Sequence, residues 1–171
     1  MTVDTPLLLA RFNAHANTEM HKVLSQLPAG DWARDLGGYY SSFRSVLGHL
    51  YTTDIAWLVR FTSLRPFEAL KGDPFSFPPA PGHIAFDTYA EYLEMRRTLD
   101  SSIVSFAQEL TGGDLEADLS YRNFRGETLT KNFGGLVLHL FNHQTHHRGM
   151  VALYLDQLDV PNDFNGISGF L

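Results

Sequence analysis

The chain has 171 residues, 44% apolar and 19% charged, which is an ordinary globular composition and argues for one domain over residues 1–171 rather than two. Thirteen basic and 19 acidic side chains leave a formal charge of −6, which argues against nucleic acid as the main partner. Cysteine is absent, so disulfides, thiolate nucleophiles and Cys-ligated zinc are excluded, and His, Asp and Glu remain as metal-ligand types.

Met1-Thr2-Val3-Asp4 lacks the basic and long apolar regions of a signal peptide. No apolar run approaches the roughly 20 residues of a membrane span. The expectation is a soluble cytoplasmic protein without a membrane partner. Thr5-Pro6 reads as a helix start, with Thr5 as N-cap and Pro6 in the first helical position. Leu8, Leu9, Phe12, Met20, Val23, Leu24 and Leu27 then keep a mostly helical spacing up to Pro28-Ala29-Gly30. His15 and His21 on this helix read as surface or packing residues.

Residues 31–40 form a connector with a Gly-Gly break, and Ser41-Ser42 caps a second helix from about Phe43 to Leu64. His49 sits in its apolar stripe, next to Leu50. It reads either as a core histidine bonded to a neighbour or as a metal ligand completing a site elsewhere. Residues 65–84 hold Pro66, Pro74, Pro78, Pro79 and Pro81 among phenylalanines, so they form a long irregular crossover. Such a segment is either a lid or a docked cover whose Phe67, Phe75 and Phe77 lie on the core. A third helix spans about Thr88 to Leu110, with Asp87 as N-cap and Gly112-Gly113 as its end. Leu119, Tyr121, Phe124, Leu129 and Thr130 around Arg125-Gly126-Glu127 predict a short β-hairpin. The fourth helix covers residues 134–158, and residues 159–171 are a tail. The expected fold is all-α: a four-helix bundle with a long Pro-rich crossover and a short β-hairpin before the last helix.

The last helix carries the chemistry. Four of the eight histidines (His139, His143, His146, His147) fall within residues 139–147, flanked by Leu136, Val137, Leu138, Leu140, Met150, Val151 and Leu153. Residues four apart lie about 40° apart around a helix and about 6 Å along it, so His139, His143 and His147 form a column. His143 and His147 can ligate one ion as i and i+4 partners, whereas His146 lies about 100° around from His147. Gln144 follows the first of them, so this is not the HExxH of a metalloprotease. A third ligand must come from elsewhere: His49 is the natural candidate, and His139 competes as ligand or supporting donor. Neutral imidazoles suit Zn, Ni, Fe(II) or Cu(II), with zinc or nickel the leading ions. An open three-His site would activate a bound water or thiol. The opposing reading is a histidine-rich packed face. Arg148 on this buried helix needs a partner, either Asp54 in an ion pair or an anionic substrate group.

Tyr121-Arg122-Asn123-Phe124-Arg125-Gly126-Glu127, followed by Leu138-His139-Leu140-Phe141-Asn142-His143-Gln144-Thr145-His146-His147-Arg148-Gly149, closely resembles the DinB family of damage-inducible metalloproteins. Gly48-His49-Leu50 with Asp54 and Trp57 resembles its second-helix motif, and the likeness covers nearly the whole chain. The resemblance implies a four-helix bundle, commonly a homodimer, with a divalent metal on His49, His143 and His147, so His49 becomes a ligand. It also implies a small-molecule substrate, a low-molecular-weight thiol as possible cosubstrate, and a stress-response or detoxification role. Met150 stands where the family usually has Gln. The alternative is a metal-binding module without catalysis.

Overall fold

A computed structural model of the chain describes residues 1–80 and 82–171; Pro81 of the crossover lies outside the described residues. The described residues are mostly helical, with five α-helices and a small two-stranded antiparallel sheet. Four helices are long: α1 (Asp4–Leu24), α2 (Phe43–Phe61), α3 (Tyr89–Glu109) and α5 (Phe133–Gln157). A short α4 (Gly112–Glu116) precedes strands β1 (Asp118–Arg122) and β2 (Thr128–Asn132). Helix α1 packs on α3 and α5, and α2 packs on α5. A shared apolar cluster takes Met20 from α1, Leu50 from α2, Tyr92 from α3 and Leu140 from α5. Among the described residues, no helix is long and apolar enough to cross a membrane.

Local chemistry sets the helix ends. Ser42 accepts from the Ser45 amide and Ser45 returns the bond, closing a reciprocal cap at α2. Thr88, rather than Asp87, does the same with Glu91 at α3, because its hydroxyl reaches the third helical amide. The expected Thr5 cap is displaced: α1 begins at Asp4 after Val3, whose side chain makes no capping bond. Gly112-Gly113 also departs from expectation. Helix α3 stops at Glu109, and Thr111 caps a new turn, α4, together with Asp114.

The hairpin pairs Asp118 with Asn132 through to Arg122 with Thr128. Its turn is organised by Asn123, whose side-chain oxygen accepts from the amides of Arg125 and Glu127. Gly126 supplies a φ of +78°, a region that favours glycine. This turn holds Phe124 out in solvent at 65% exposure.

The crossover is docked on the bundle, its first part on α3 and its end on α2. Phe67 and Phe75 are buried as expected, but Phe77 is 82% exposed and covers nothing. Thr52 on α2 donates to the His83 carbonyl at 3.2 Å, and Arg44 reaches the Phe86 carbonyl and the Asp87 carboxylate. Ile84 presses so closely on Gly48 that a Cβ there would lie 2.9 Å from its side chain.

A polar chain runs through the interior. Asp54 on α2 accepts from Arg96 on α3 at 2.6 Å and from Gln144 on α5. Arg96 also donates to Asp100 at 2.6 Å, and Asn17 on α1 meets both Asp100 oxygens at 3.0 Å. Asn13 extends the chain from Asp100 to Arg148, which also reaches Asn165 of the tail. The carboxylate of Asp54 is therefore taken by Arg96, not by Arg148. Burial alone would pull the Arg96 guanidinium down, but Asp100 and Asp54 outweigh it and hold it protonated.

Two predictions follow from these buried groups. Arg96 is 1% exposed, and Arg96→Met would leave Asp54 and Asp100 without their counter-charge. Urea unfolding should show a loss of about 3–5 kcal/mol; a loss below about 1 kcal/mol would mean the carboxylates do not stay charged in the core. His21 is buried against Tyr89, and burial, with help from Arg96 and Arg97, pulls it down to about 3. The unfolded chain, with a histidine pKa of about 6.5, then takes up this proton first as pH falls, so the neutral-His21 contribution is complete above that value and is lost towards 3. The urea midpoint should drop between pH 7 and pH 5, and drop less in His21→Leu; equal slopes for both proteins would refute the assignment.

Candidate metal centre

Helix α5 carries His143 and His147 one turn apart, and the packing of α2 on α5 brings His49 to face them. Nε2 of His143 lies 3.1 Å from Nε2 of His49 and 3.1 Å from Nε2 of His147. One ring nitrogen from each of the three lies within 4.8 Å of the others. Nitrogens held at zinc-bond length in a tetrahedron stand about 3.3 Å apart, so the donors match the size of one such ion. No Asp or Glu belongs to the group among the described residues.

Burial pulls His143 down to about 3, with the neighbouring His147 and His49 adding to the effect, and pulls His147 down to about 4. His49 is lowered by burial too. All three are then neutral near pH 7, the form whose lone pair can bind a metal. Three neutral nitrogens suit zinc, nickel and related borderline ions better than calcium or magnesium.

The surroundings hold the rings in place. Tyr40 stacks on His49 with centroids 4.5 Å apart and meets His147 edge-on at 5.4 Å. The Tyr40 carbonyl accepts from the Tyr154 hydroxyl, which also donates to the Gly37 carbonyl at 3.0 Å. Thr53 approaches Nδ1 of His49 at 3.4 Å. Nδ1 of His143 and of His147 is buried with no hydrogen-bond partner among the described residues, while Nε2 of each faces the cluster. Gln144, between the two α5 histidines, is only 1% exposed and fixes the turn that carries them through its bond to Asp54.

The other histidines stand apart. His139 turns to Trp57, with ring centroids 5.1 Å apart, and is not a member of the three-His group. His146 is exposed beside His147. His15 packs on Phe170, and His21 bonds Tyr89. The column expected on α5 thus splits: its lower two members meet His49, and its first faces an aromatic wall. Tyr40 is the residue sequence reasoning missed, since its segment reads as a plain connector. Arg96 was detectable, because it continues the core-facing positions of Tyr92, Leu99 and Ile103.

Beside His49 lies a chamber of about 300 Å³, walled by α2, the connector at Tyr39-Tyr40, the crossover and the hairpin tip.

Relatives share this architecture. The DinB family profile matches residues 1–163. Protein DinB of Bacillus subtilis (strain 168) is 23% identical over 168 residues, covering 94% of this chain and 92% of that protein. A crystal structure of a DinB-like protein from Bacillus cereus ATCC 10987 superposes with a TM-score of 0.57 at 20% identity, covering 88% of this chain and 91% of the other. With the family profile spanning nearly the whole length, the chain belongs to the DinB family.

Proposed function

We propose that this chain is a metal-dependent enzyme in which His49, His143 and His147 hold one divalent ion, zinc or nickel, next to a chamber for a small-molecule substrate. The observation that carries this reading is the convergence of three neutral Nε2 atoms from two packed helices. When bound, the ion supplies Lewis acidity that brings a thiol or a water into its reactive, deprotonated form near neutral pH. The protein's own residues do the rest. Tyr40 holds the His49 ring from one face, the Asp54–Gln144 bond fixes the α5 histidines, and the crossover walls the chamber. Three protein ligands leave positions for a thiol and a substrate.

The reading extends to a four-helix bundle formed by α1, α2, α3 and α5 as a single domain over residues 1–171, and to a homodimer. It places the reaction among transfers to, or hydrolysis or isomerisation of, small electrophiles, with a low-molecular-weight thiol as cosubstrate, in a cytoplasmic stress or detoxification setting. A second reading, a metal-binding module without catalysis, is favoured by one observation: among the described residues, no carboxylate joins the three-His group to serve as a base.

Elemental analysis of untagged protein tests the site. About one equivalent of a divalent ion per chain is expected, with each of His49→Ala, His143→Ala and His147→Ala losing most of it while staying folded by circular dichroism. Full metal content in all three variants would sink the ligand assignment. Loaded protein inert across thiol-transfer, isomerase and hydrolase substrates would favour the non-catalytic module instead.

A further inference from the structure

The chamber beside His49 has a second end. On α2, His49, Thr53, Ala56 and Arg60 follow one another at i, i+4, i+7 and i+11, so they lie on one helix face within about 60° of one another. The first three line the chamber, and Arg60 stands one turn beyond Ala56, about 16 Å along the axis from His49. There it meets Phe124, another wall residue of the chamber, with its guanidinium carbon 4.8 Å from the ring centroid. No Asp or Glu lines the chamber among the described residues, so an anion entering it meets no like charge.

Arg60 is a half-buried cation that the protein fixes in place but does not neutralise. Its guanidinium also lies over Trp57 at 4.9 Å and Tyr121 at 5.7 Å, and its Nε donates to the Arg122 carbonyl at 3.3 Å. Rings attract a guanidinium through its charge and leave its in-plane N–H groups unused. Among the described residues neither Nη of Arg60 makes a hydrogen bond, and no carboxylate offsets the burial that lowers this group. The acid of the hairpin turn, Glu127, is held by Asn123 at 2.6 Å. Arg65 shows the complete arrangement in the same molecule. Its guanidinium lies over Phe67 at 4.1 Å, and its Nε and Nη2 donate to the two oxygens of Asp114 at 2.8 Å each. Arg60 has the rings and lacks the carboxylate. A planar carboxylate matches two such N–H groups, and a guanidinium already held in place loses less freedom on receiving it.

We propose that Arg60 is a specificity-determining residue that receives a carboxylate of the substrate through its Nη donors, while the reacting atom lies at the His49 end of the chamber. This rests on the metal reading only for the place of that reacting atom.

The test is titration of ¹⁵N-labelled, chelator-treated protein, in which no metal competes for the carboxylate, with phenylbutyrate, phenylbutanol and phenylbutylamine. These share one ring and chain. Phenylbutyrate should bind about tenfold more tightly than the alcohol, and the amine more weakly than both. The acid alone should shift the Arg60 Nε–H resonance, a readout taken on the unaltered chain that holds even if a variant misfolds. In Arg60→Gln the advantage of the acid should vanish while the alcohol binds as before. Arg60→Lys, which keeps the charge but not the fork, should retain part of it. An acid that binds no tighter than the alcohol, leaves Arg60 Nε–H unmoved, or keeps its full advantage in Arg60→Gln would overturn the proposal. Metal uptake by the same preparations separates the two readings. A preference for the acid in protein that takes up no metal would sink the metal site alone, and protein that reloads with metal but shows no preference when stripped would sink Arg60 alone.

Discussion

Asp54, fully buried on α2, is tied at once to Arg96 on α3 and Gln144 on α5, so one carboxylate joins three helices. Its environment explains why the arrangement is obligatory. A charge without solvent must be paired and bonded, and burial pushes the Asp54 carboxyl up to about 6 even with Arg96 beside it. Any rotation or sliding of α5 against α2 would break the Gln144 bond and leave that carboxylate poorer by one donor. Apolar contacts would tolerate such a shift far better, because they have no direction. The histidines flank Gln144 on the same turns of α5, so the bond that satisfies the core also sets the rotation at which their rings face His49.

The chain Asp54–Arg96–Asp100 continues through Asn13 to Arg148 and Asn165, so the polar interior spans from Gln144, between the α5 histidines, to the tail. Two guanidinium groups and two carboxylates alternate along it, and the sum of charge is zero. Amide side chains serve as spacers that donate and accept without adding charge. This gives the molecule a core with directional joints, where helix order is specified by bonds as well as by shape.

Much of this was legible in the sequence, and the limits have physical causes. The four long helices follow from apolar periodicity and from capping residues such as Ser42, and the hairpin follows from alternation around a glycine turn. The His143–His147 pair follows from helix geometry alone. His49 was left open: on its own helix it is one polar residue in an apolar stripe, the need for a third ligand made it the natural candidate, and the resemblance to DinB proteins decided between the two readings. The start of α1 was misplaced because that helix begins without any side-chain cap, and the extra helix α4 was missed because it depends on the Thr111 hydroxyl reaching the Asp114 amide. Arg148 was given the wrong neighbour, since the pairing depends on how α3 is placed, and crossing angles are not written in any single helix. Tyr40 shows the same limit from a loop, where no periodicity exists to read.

Gly48, the residue before the candidate ligand His49, meets the crossover through Ile84 with no room for a side chain. At the edge of the chamber the α2 backbone is thus in direct contact with the Ile84 side chain, and residue 48 cannot be enlarged without moving it. The helix offers no freedom at that point, since a larger residue at position 48 would push on Ile84, one residue from the His83 carbonyl that Thr52 holds. Adaptation is left to the positions that project from the loops, chiefly Tyr39, Ala80 and Phe124. The molecule in this way separates a part that must stay constant for the histidines to meet from a part free to diverge.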